Sequence, residues 1–453
     1  MSSPLFTISG LRGVVGADLT PETVAHYAAA FGNLVGPGAV ALGRDSRLSG
    51  KMLLAAAASG LAAAGCEVID LGICPTPTVL HYTRTNGLCG GIVVTASHNP
   101  DRWNGLKFCS AEGRFLSPGA VADFRQRLAA GGPRWADWTR LVPMRRDDGA
   151  VAAHIKAILS SDLFPRPARR LRVGIDAVNG AASAGAVELV RALGCDPVPV
   201  WCDPSPASMR SGFPRRPEPM PDGLGALCQV VRAEGLDCGI AFDPDGDRFS
   251  CVDETGAALG EEATVLLACR YVLARKPGPV AVNLSTTRAV EDVCAPFNVA
   301  VGRSPVGEAA VVELMQSTGA VVGGEGNGGV ILPEVNFTRD GLVAAAIVLG
   351  LCGETKLSAL RAELPVYKMV KTSVALSREE FEGRRAGLSA AFAGAQADER
   401  DGIRFEGDGW WVHVRASNTE PIARIIAEAR QGIAVEPLVE KARAALASEN
   451  SRS

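Results

Sequence analysis

Residues 236–248 read LDCGIAFDPDGDR, an apolar run that opens into a polar loop, and the same theme occurs three times along the chain. Each time a helical stretch ends in a small turn, a strand follows, and a later strand delivers the loop. The first copy reads LLAAAASGLAAAGCEVIDLG (53–72) and then GGIVVTASHNP (90–100). The second reads AVELVRALGCDPVPVW (186–201) ahead of residues 236–248. The third reads RAVEDVCAPFNVAVGRSP (288–305) and then GAVVGGEGNGG (319–329). Helices alternating with short strand-like runs imply sheets covered by helices. Recurrence of one theme implies homologous domains, each with its loop where open α/β sheets place ligands.

The tail is different. VYKMVKTSVAL, FEGRRAGLSAAFAGA, GIRFEGDGWWVHVRASNTEP and IARIIAEARQ read as strand, helix, strand with loop, and strand, before a closing helix in PLVEKARAALAS. The expected class is therefore α/β: three homologous α/β domains plus a smaller C-terminal α+β domain. The expected limits are 1–145, 146–252, 253–366 and 367–453.

Composition agrees with several domains. A chain of 453 residues exceeds the roughly 100–150 that one core commonly holds. Hydrophobic residues are 47%, charged residues 21% and the net charge is −3, which argues against a nucleic-acid partner. The longest apolar stretches, such as Leu53–Ala64, fall short of a bilayer span, and the N-terminus lacks the pattern of a signal peptide. Twelve cysteines without CxxC spacing read as reduced, buried thiols of a cytoplasmic protein with no membrane partner.

The loops carry the chemistry. In TASHNP (95–100), a strand enters a turn that presents the Ser97 hydroxyl beside backbone N–H groups, an anion nest. Such a hydroxyl can accept a phosphoryl group, and His98 can donate to an oxyanion. Lys107, in WNGLK, supplies a cation or, if desolvated, a base. Taken alone, the same residues also make an ordinary surface turn.

In the second loop, Asp243, Asp245 and Asp247 alternate with Pro244 and Gly246. Three carboxylates that a looped backbone turns to one point repel one another unless a hard divalent cation joins them. An EF-hand needs Gly where Arg248 stands, and helical flanks. Arg248 instead suits a phosphate clamp.

The third loop, 323–329, formally holds GxGxxG, but VILPE follows where a dinucleotide fold needs a helix. It reads as a glycine turn exposing Glu325 and Asn327, a pair able to grip sugar hydroxyls. The fourth, Arg415-Ala-Ser417-Asn418-Thr419, with Arg424 beyond it, mixes guanidinium, hydroxyl and amide groups as a dianionic phosphate requires. Early in the chain, SGLRG and GRDSR place Arg12, Arg44 and Arg47 on glycine-flanked turns. Arg12 is a candidate to face the transferring phosphate. Arg44 and Arg47 fit either a phosphate role or a structural pairing with Asp45.

Together, SGLRG, GRDSR, TASHNP, DPDGDR, GGEGNGG and RASNTEP resemble, in this order and over the whole length, the α-D-phosphohexomutase family. The resemblance implies mixed sheets and four domains around a central cleft, each giving it one loop. It implies an isomerase that moves a phosphoryl group between positions of a hexose phosphate, with Ser97 as phosphoserine. Asp243, Asp245 and Asp247, with Ser97, would hold Mg²⁺. Hexose 1,6-bisphosphate would serve as intermediate and activator. Glu325 matches the sugar-loop glutamate, and Arg415, Ser417, Asn418 and Thr419 match the loop for the non-transferring phosphate. Lys107 matches a lysine proposed as general acid or base. The expected assembly is a monomer or homodimer.

TASHNPDRWNGLK with GGEGNGGVILPE is most similar to the archaeal-type phosphoglucosamine mutase branch, with a broad phosphomannomutase/phosphoglucomutase as the alternative. Many relatives have Ser where this chain has Asn327 and His where it has Gly329. Some use a third-domain histidine, whereas the five here are His26, His81, His98, His154 and His413. Arg303 and Glu308 are candidates for that region. Two readings of another kind are a metal-dependent sugar phosphatase and a non-catalytic sugar-phosphate sensor.

Overall fold

The apolar runs that precede the motifs are central strands buried along their whole length. Helices cover both faces, so these strands need continuous rather than alternating apolar sequence. The structure, a computed structural model, describes residues 4–417 and 421–447. The first sheet contains β1 (Leu5–Thr7), β2 (Gly10–Val14), β3 (Ala39–Arg44), β4 (Glu67–Ile73), β5 (Gly90–Val94), β6 (Trp103–Ser110) and β7 (Arg145–Arg146), ordered β1-β2-β6-β5-β3-β4-β7. The second contains β8 (Arg172–Asp176), β9 (Asp196–Trp201), β10 (Cys238–Phe242) and β11 (Phe249–Val252), ordered β11-β10-β8-β9. The third contains β12 (Val280–Asn283), β13 (Val301–Ser304), β14 (Val322–Glu325) and β15 (Gly329–Ile331), ordered β15-β14-β12-β13.

These sheets share one plan. In β6-β5-β3-β4, β11-β10-β8-β9 and β15-β14-β12-β13, three strands are parallel and the last returns antiparallel as a hairpin. The sheets are therefore mixed. Each motif loop sits at the tip of that hairpin: residues 95–102, 243–248 and 326–328.

The fourth sheet contains β16 (Tyr367–Ala375), β17 (Gln396–Asp398), β18 (Ile403–Gly407), β19 (Trp410–Ala416) and β20 (Ile422–Arg430), ordered β16-β20-β19-β18-β17 and antiparallel throughout. The expected single strand in GIRFEGDGWWVHV is two strands. Gly407 pairs with Trp410 around Asp408-Gly409, and Gly409 has φ +74°. Asp-Gly is a favoured two-residue hairpin turn because glycine accepts that left-handed backbone.

One apolar core runs without a break through the second and third domains. Its centre is the helix Gly341–Glu354, apolar on all sides because it packs against the helices Ser183–Ala192 and Glu261–Leu273. Among the described residues no single helix is long and apolar enough to cross a membrane. The bent pair Gly341–Glu354 and Leu357–Glu363 passes on length and composition together, but the first of them is this core helix. All twelve cysteines are free, and ten are buried.

A buried polar chain ties the first three domains together. Thr78, on the helix Thr76–Thr85, lies 3.0 Å from His154 Nδ1, and His154 Nε2 lies 2.8 Å from Asp340 Oδ2. Asp340 also caps the helix Gly341–Glu354 by accepting from the Leu342 and Val343 N–H groups. Replacing His154 by Leu strands two buried polar groups. It should lower stability by about 2–4 kcal/mol in urea unfolding; an unchanged midpoint would show that the chain carries no load.

Candidate active site

Ser97 is held in a left-handed conformation (φ +51°) that a β-carbon makes costly. The loop that holds it is clasped by one arginine. Arg47 Nη2 donates to the Ser97 and Asn99 carbonyls (2.6 and 2.7 Å), and Nη1 to those of Pro100 and Trp103 (2.7 and 3.0 Å). Asp45 completes the clasp, accepting from Arg47 Nε at 3.0 Å and from Thr95 Oγ1 at 2.7 Å. The two side chains are almost wholly buried. Arg47 is thus a structural residue spent on backbone carbonyls. Arg44 donates to the Asp45 carbonyl at 3.0 Å. Arg12, on β2, donates to Asn99 Oδ1 at 2.9 Å and so reaches the serine loop.

The second hairpin brings its three carboxylates to this serine. Ser97 Oγ donates to Asp243 Oδ2 at 3.2 Å. Asp243, Asp245 and Asp247 are fully buried. One oxygen from each lies within 4.8 Å of the others. The loop is pinned from outside: the Thr76 N–H donates to the Asp245 carbonyl at 2.8 Å and the Gly341 N–H to the Gly246 carbonyl at 3.1 Å. Gly246 itself has φ +69°.

The six oxygens divide into two sets. Asp245 Oδ2 accepts from Lys107 Nζ (2.6 Å) and Thr76 Oγ1 (2.5 Å), and Asp247 Oδ2 from Lys107 Nζ and Arg339 Nη2 (both 2.8 Å). Asp243 Oδ1 accepts from the Asp247 and Arg248 N–H groups at 3.1 Å. Asp245 Oδ1 and Asp247 Oδ1 have no hydrogen-bond donor among the described residues. These two donor-free oxygens, in a cluster where one oxygen of each aspartate lies within 4.8 Å of the others, are ligand atoms that a hard cation fits.

Electrostatics follow from that geometry. Burial and the neighbouring Asp245 and Asp247 charges raise the Asp243 pKa well above the usual range. Burial works against the Asp247 charge too, but Arg339, Lys107 and Arg248 outweigh it and depress its pKa. Burial likewise opposes the Lys107 charge, yet Asp245 and Asp247 overcome it and hold the ammonium protonated. Arg248, burial and Arg12 push His98 well below its ordinary range. The neutral ring then sits with Nδ1 3.4 Å from Ser97 Oγ. Arg248 is paired with Glu218.

The third hairpin contributes Glu325, buried and heavily bonded. Oε1 accepts from Asn283 Nδ2 (2.8 Å) and the Gly307 N–H (3.2 Å), and Oε2 from Arg339 Nη1 (2.9 Å) and Asn327 Nδ2 (3.4 Å). Arg339 belongs to none of the sequence motifs. It adjoins Asp340, the helix cap, and nothing local tells which loop its guanidinium faces. Of the two third-domain candidates, Glu308 lies beside the site, accepting from Arg339 Nε at 3.0 Å. Arg303 turns away to Glu291 and to the carbonyls of Asn283, Thr286 and Thr287.

The fourth domain seats on the third. Lys371 Nζ donates to Glu261, Glu262 and the Gly326 carbonyl at 2.6, 2.9 and 3.2 Å. His413 Nδ1 lies 2.9 Å from Ser285 Oγ. Arg415 and Arg424 are cross-strand neighbours on β19 and β20, and the Ser417 N–H closes their loop on the Ile422 carbonyl at 2.8 Å. Burial lowers the Arg415 pKa, with Arg424 and Arg378 adding to the effect. Two guanidiniums therefore stand side by side at the base of this loop. Asn418 and Thr419 lie outside the described residues.

Sequence models of four phosphoglucomutase/phosphomannomutase domains match this chain in order: α/β/α domain I at 3–131, domain II at 152–256, domain III at 260–367 and the C-terminal domain at 378–445. The chain belongs to the phosphoglucomutase/phosphomannomutase family. It is a phosphohexomutase, an enzyme of the isomerase class. A probable phosphoglucosamine mutase of Methanopyrus kandleri is 37% identical over 94% of this chain and 93% of its own length. A phosphoglucomutase/phosphomannomutase of Thermococcus kodakarensis is 35% identical over 94% of each. A phosphoglucomutase/phosphomannomutase family protein from Burkholderia thailandensis has a similar structure, with TM-score 0.83 at 28% identity over 97% of this chain and 96% of that one.

Two outcomes test the site. Mn²⁺ titration followed by electron paramagnetic resonance should find one bound ion, and Asp247→Ala should weaken it more than roughly tenfold; equal affinity would move the ion elsewhere. Arg47→Ala leaves Asp45 buried and unpaired, so it should cost about 3–5 kcal/mol in chemical unfolding. A loss below 1 kcal/mol would mean that water replaces the clasp.

Proposed function

We propose that this enzyme interconverts glucosamine 6-phosphate and glucosamine 1-phosphate through a phosphoserine at Ser97 and a bisphosphorylated sugar. The observation that carries the transfer site is the Ser97 hydroxyl 3.2 Å from Asp243 Oδ2, in a cluster whose Asp245 and Asp247 Oδ1 atoms accept no hydrogen bond among the described residues. The sugar assignment rests on the relative from Methanopyrus kandleri. The relative from Thermococcus kodakarensis supports the second reading, a mutase accepting glucose and mannose phosphates.

Asp243, Asp245, Asp247 and the serine phosphate would hold Mg²⁺. Bound there, the ion neutralises charge on the transferring phosphoryl group. Arg12 and neutral His98 donate to the phosphoryl oxygens. A sugar hydroxyl oxygen bonds to phosphorus as the bond to Ser97 Oγ breaks, and the hydroxyl proton ends on Ser97 Oγ. Lys107, held charged by two aspartates, suits the acid side of that exchange. The bisphosphate turns round, and its other phosphoryl group returns to Ser97 as a proton returns to the sugar oxygen. Glu325 and Asn327 grip the sugar hydroxyls. Arg248 steadies the phosphate nearest the metal loop, and Arg415, Ser417, Asn418, Thr419 and Arg424 hold the distal one. Free hexose 1,6-bisphosphate primes an unphosphorylated Ser97 by the same exchange. The fourth domain closes over the substrate, since its clamp must meet a site built by the other three.

The deciding assay compares wild type and Ser97→Ala with Mg²⁺ and a trace of hexose 1,6-bisphosphate on glucosamine, glucose and mannose phosphates. Wild type should exchange the 1- and 6-phosphates, fastest with glucosamine, and the variant should lose at least about 10³-fold. Release of inorganic phosphate alone would replace this reading by a phosphatase, and a full-rate Ser97→Ala enzyme would end the phosphoserine mechanism.

A further inference from the structure

Arg339 is the one guanidinium among the described residues bonded to both the sugar loop and the metal loop. Nη1 donates to Glu325 Oε2 at 2.9 Å and Nη2 to Asp247 Oδ2 at 2.8 Å. Glu308 orients it from behind, with Oε2 accepting from Nε at 3.0 Å and Oε1 from the Arg339 N–H at 3.0 Å. Thr338 holds the same carboxylate. Each of the three guanidinium nitrogens donates to a different carboxylate, Nε to Glu308, Nη1 to Glu325 and Nη2 to Asp247. The stem crosses the sugar loop at Gly329. A β-carbon there would lie 2.2 Å from Arg339 Cδ and 2.7 Å from Cγ. Gly329 is therefore the space through which the side chain reaches the cleft.

We infer that Arg339 is a positioning residue for phosphoryl transfer, its guanidinium setting the sugar-gripping carboxylate in register with the metal loop, and that Gly329 is glycine to let it pass. This deepens the transfer reading above and rests on it. The shared core sets the two domains, but side chains at two separate loops still settle independently of one another, and misplacement by an ångström at a transfer site costs about 10²-fold in rate. The cation also opposes metal binding through Asp247, because it competes for the same charge. Its removal should thus slow transfer without weakening the metal.

The test uses the full-length enzyme with Arg339→Ala, Arg339→Lys, Gly329→Ala and the double variant Gly329→Ala/Arg339→Ala. Steady-state kcat and KM are measured on the sugar phosphate that wild type prefers, and Mn²⁺ affinity by paramagnetic resonance. Arg339→Ala should lower kcat about 10²-fold while Mn²⁺ binds at least as tightly as in wild type. Arg339→Lys should recover less than a tenth of the loss, since an ammonium cannot span both carboxylates. Gly329→Ala should lower kcat in the natural background but change it less than twofold once Arg339 is removed. The inference fails if Arg339→Ala keeps kcat within twofold, if kcat and Mn²⁺ affinity fall together, if Lys restores full rate, or if the two sites are additive. Wild type inactive on every hexose phosphate overturns the transfer reading and this inference together; an active wild type with an active Arg339→Ala overturns this one alone.

Discussion

Three carboxylates buried within 4.8 Å of one another govern the rest of this structure. Charges removed from water must be matched or neutralised. Asp243, Asp245 and Asp247 recruit their partners from well beyond their own loop. Lys107 and Thr76 arrive from the first domain and Arg339 from the third. The partially neutralised cluster keeps two oxygens, Asp245 Oδ1 and Asp247 Oδ1, without a hydrogen-bond donor among the described residues, and Ser97 reaches it at Asp243. Catalytic assembly and domain docking are thus satisfied by the same contacts.

Repetition makes this convergence possible. Each of the first three domains presents a loop at the tip of one hairpin in a four-strand plan, and sequence divergence at the tip assigns serine, aspartates or glutamate to it. Loops tolerate such divergence because the strands beneath them carry the fold. The second and third domains also share a core around Gly341–Glu354, which ties the hairpins carrying residues 243–248 and 326–328 to one packed unit. The first domain joins through the Thr78–His154–Asp340 chain. The fourth meets the third mainly through polar contacts such as Lys371 with Glu261 and Glu262, and interfaces of that kind permit domain motion.

The same physics explains what was legible. Continuous apolar runs announced the central strands, and the alternating aspartates announced a cation site, because both effects are local. The Asp408-Gly409 dipeptide is a local hairpin signal too, but the reading of one strand through Ile403–Val414 passes over it. Arg47 was ambiguous: its sequence context fits phosphate as well as carbonyls, and only the folded loop shows four carbonyls around it. Arg339 carried no local signal, since its three carboxylates come from three separate segments.

By itself, the sequence determined the class of fold, the order of the domains, the family and the residue types offered to the cleft, because patterning and motif spacing act over a few residues. The tertiary structure alone decided which of those groups meet. It placed Ser97 against Asp243, left two of the six aspartate oxygens without a donor among the described residues, and threaded Arg339 past Gly329. Those outcomes depend on close packing and on electrostatic balance among separate segments, up to 169 residues apart for Thr76 and Asp245, and no local pattern encodes them.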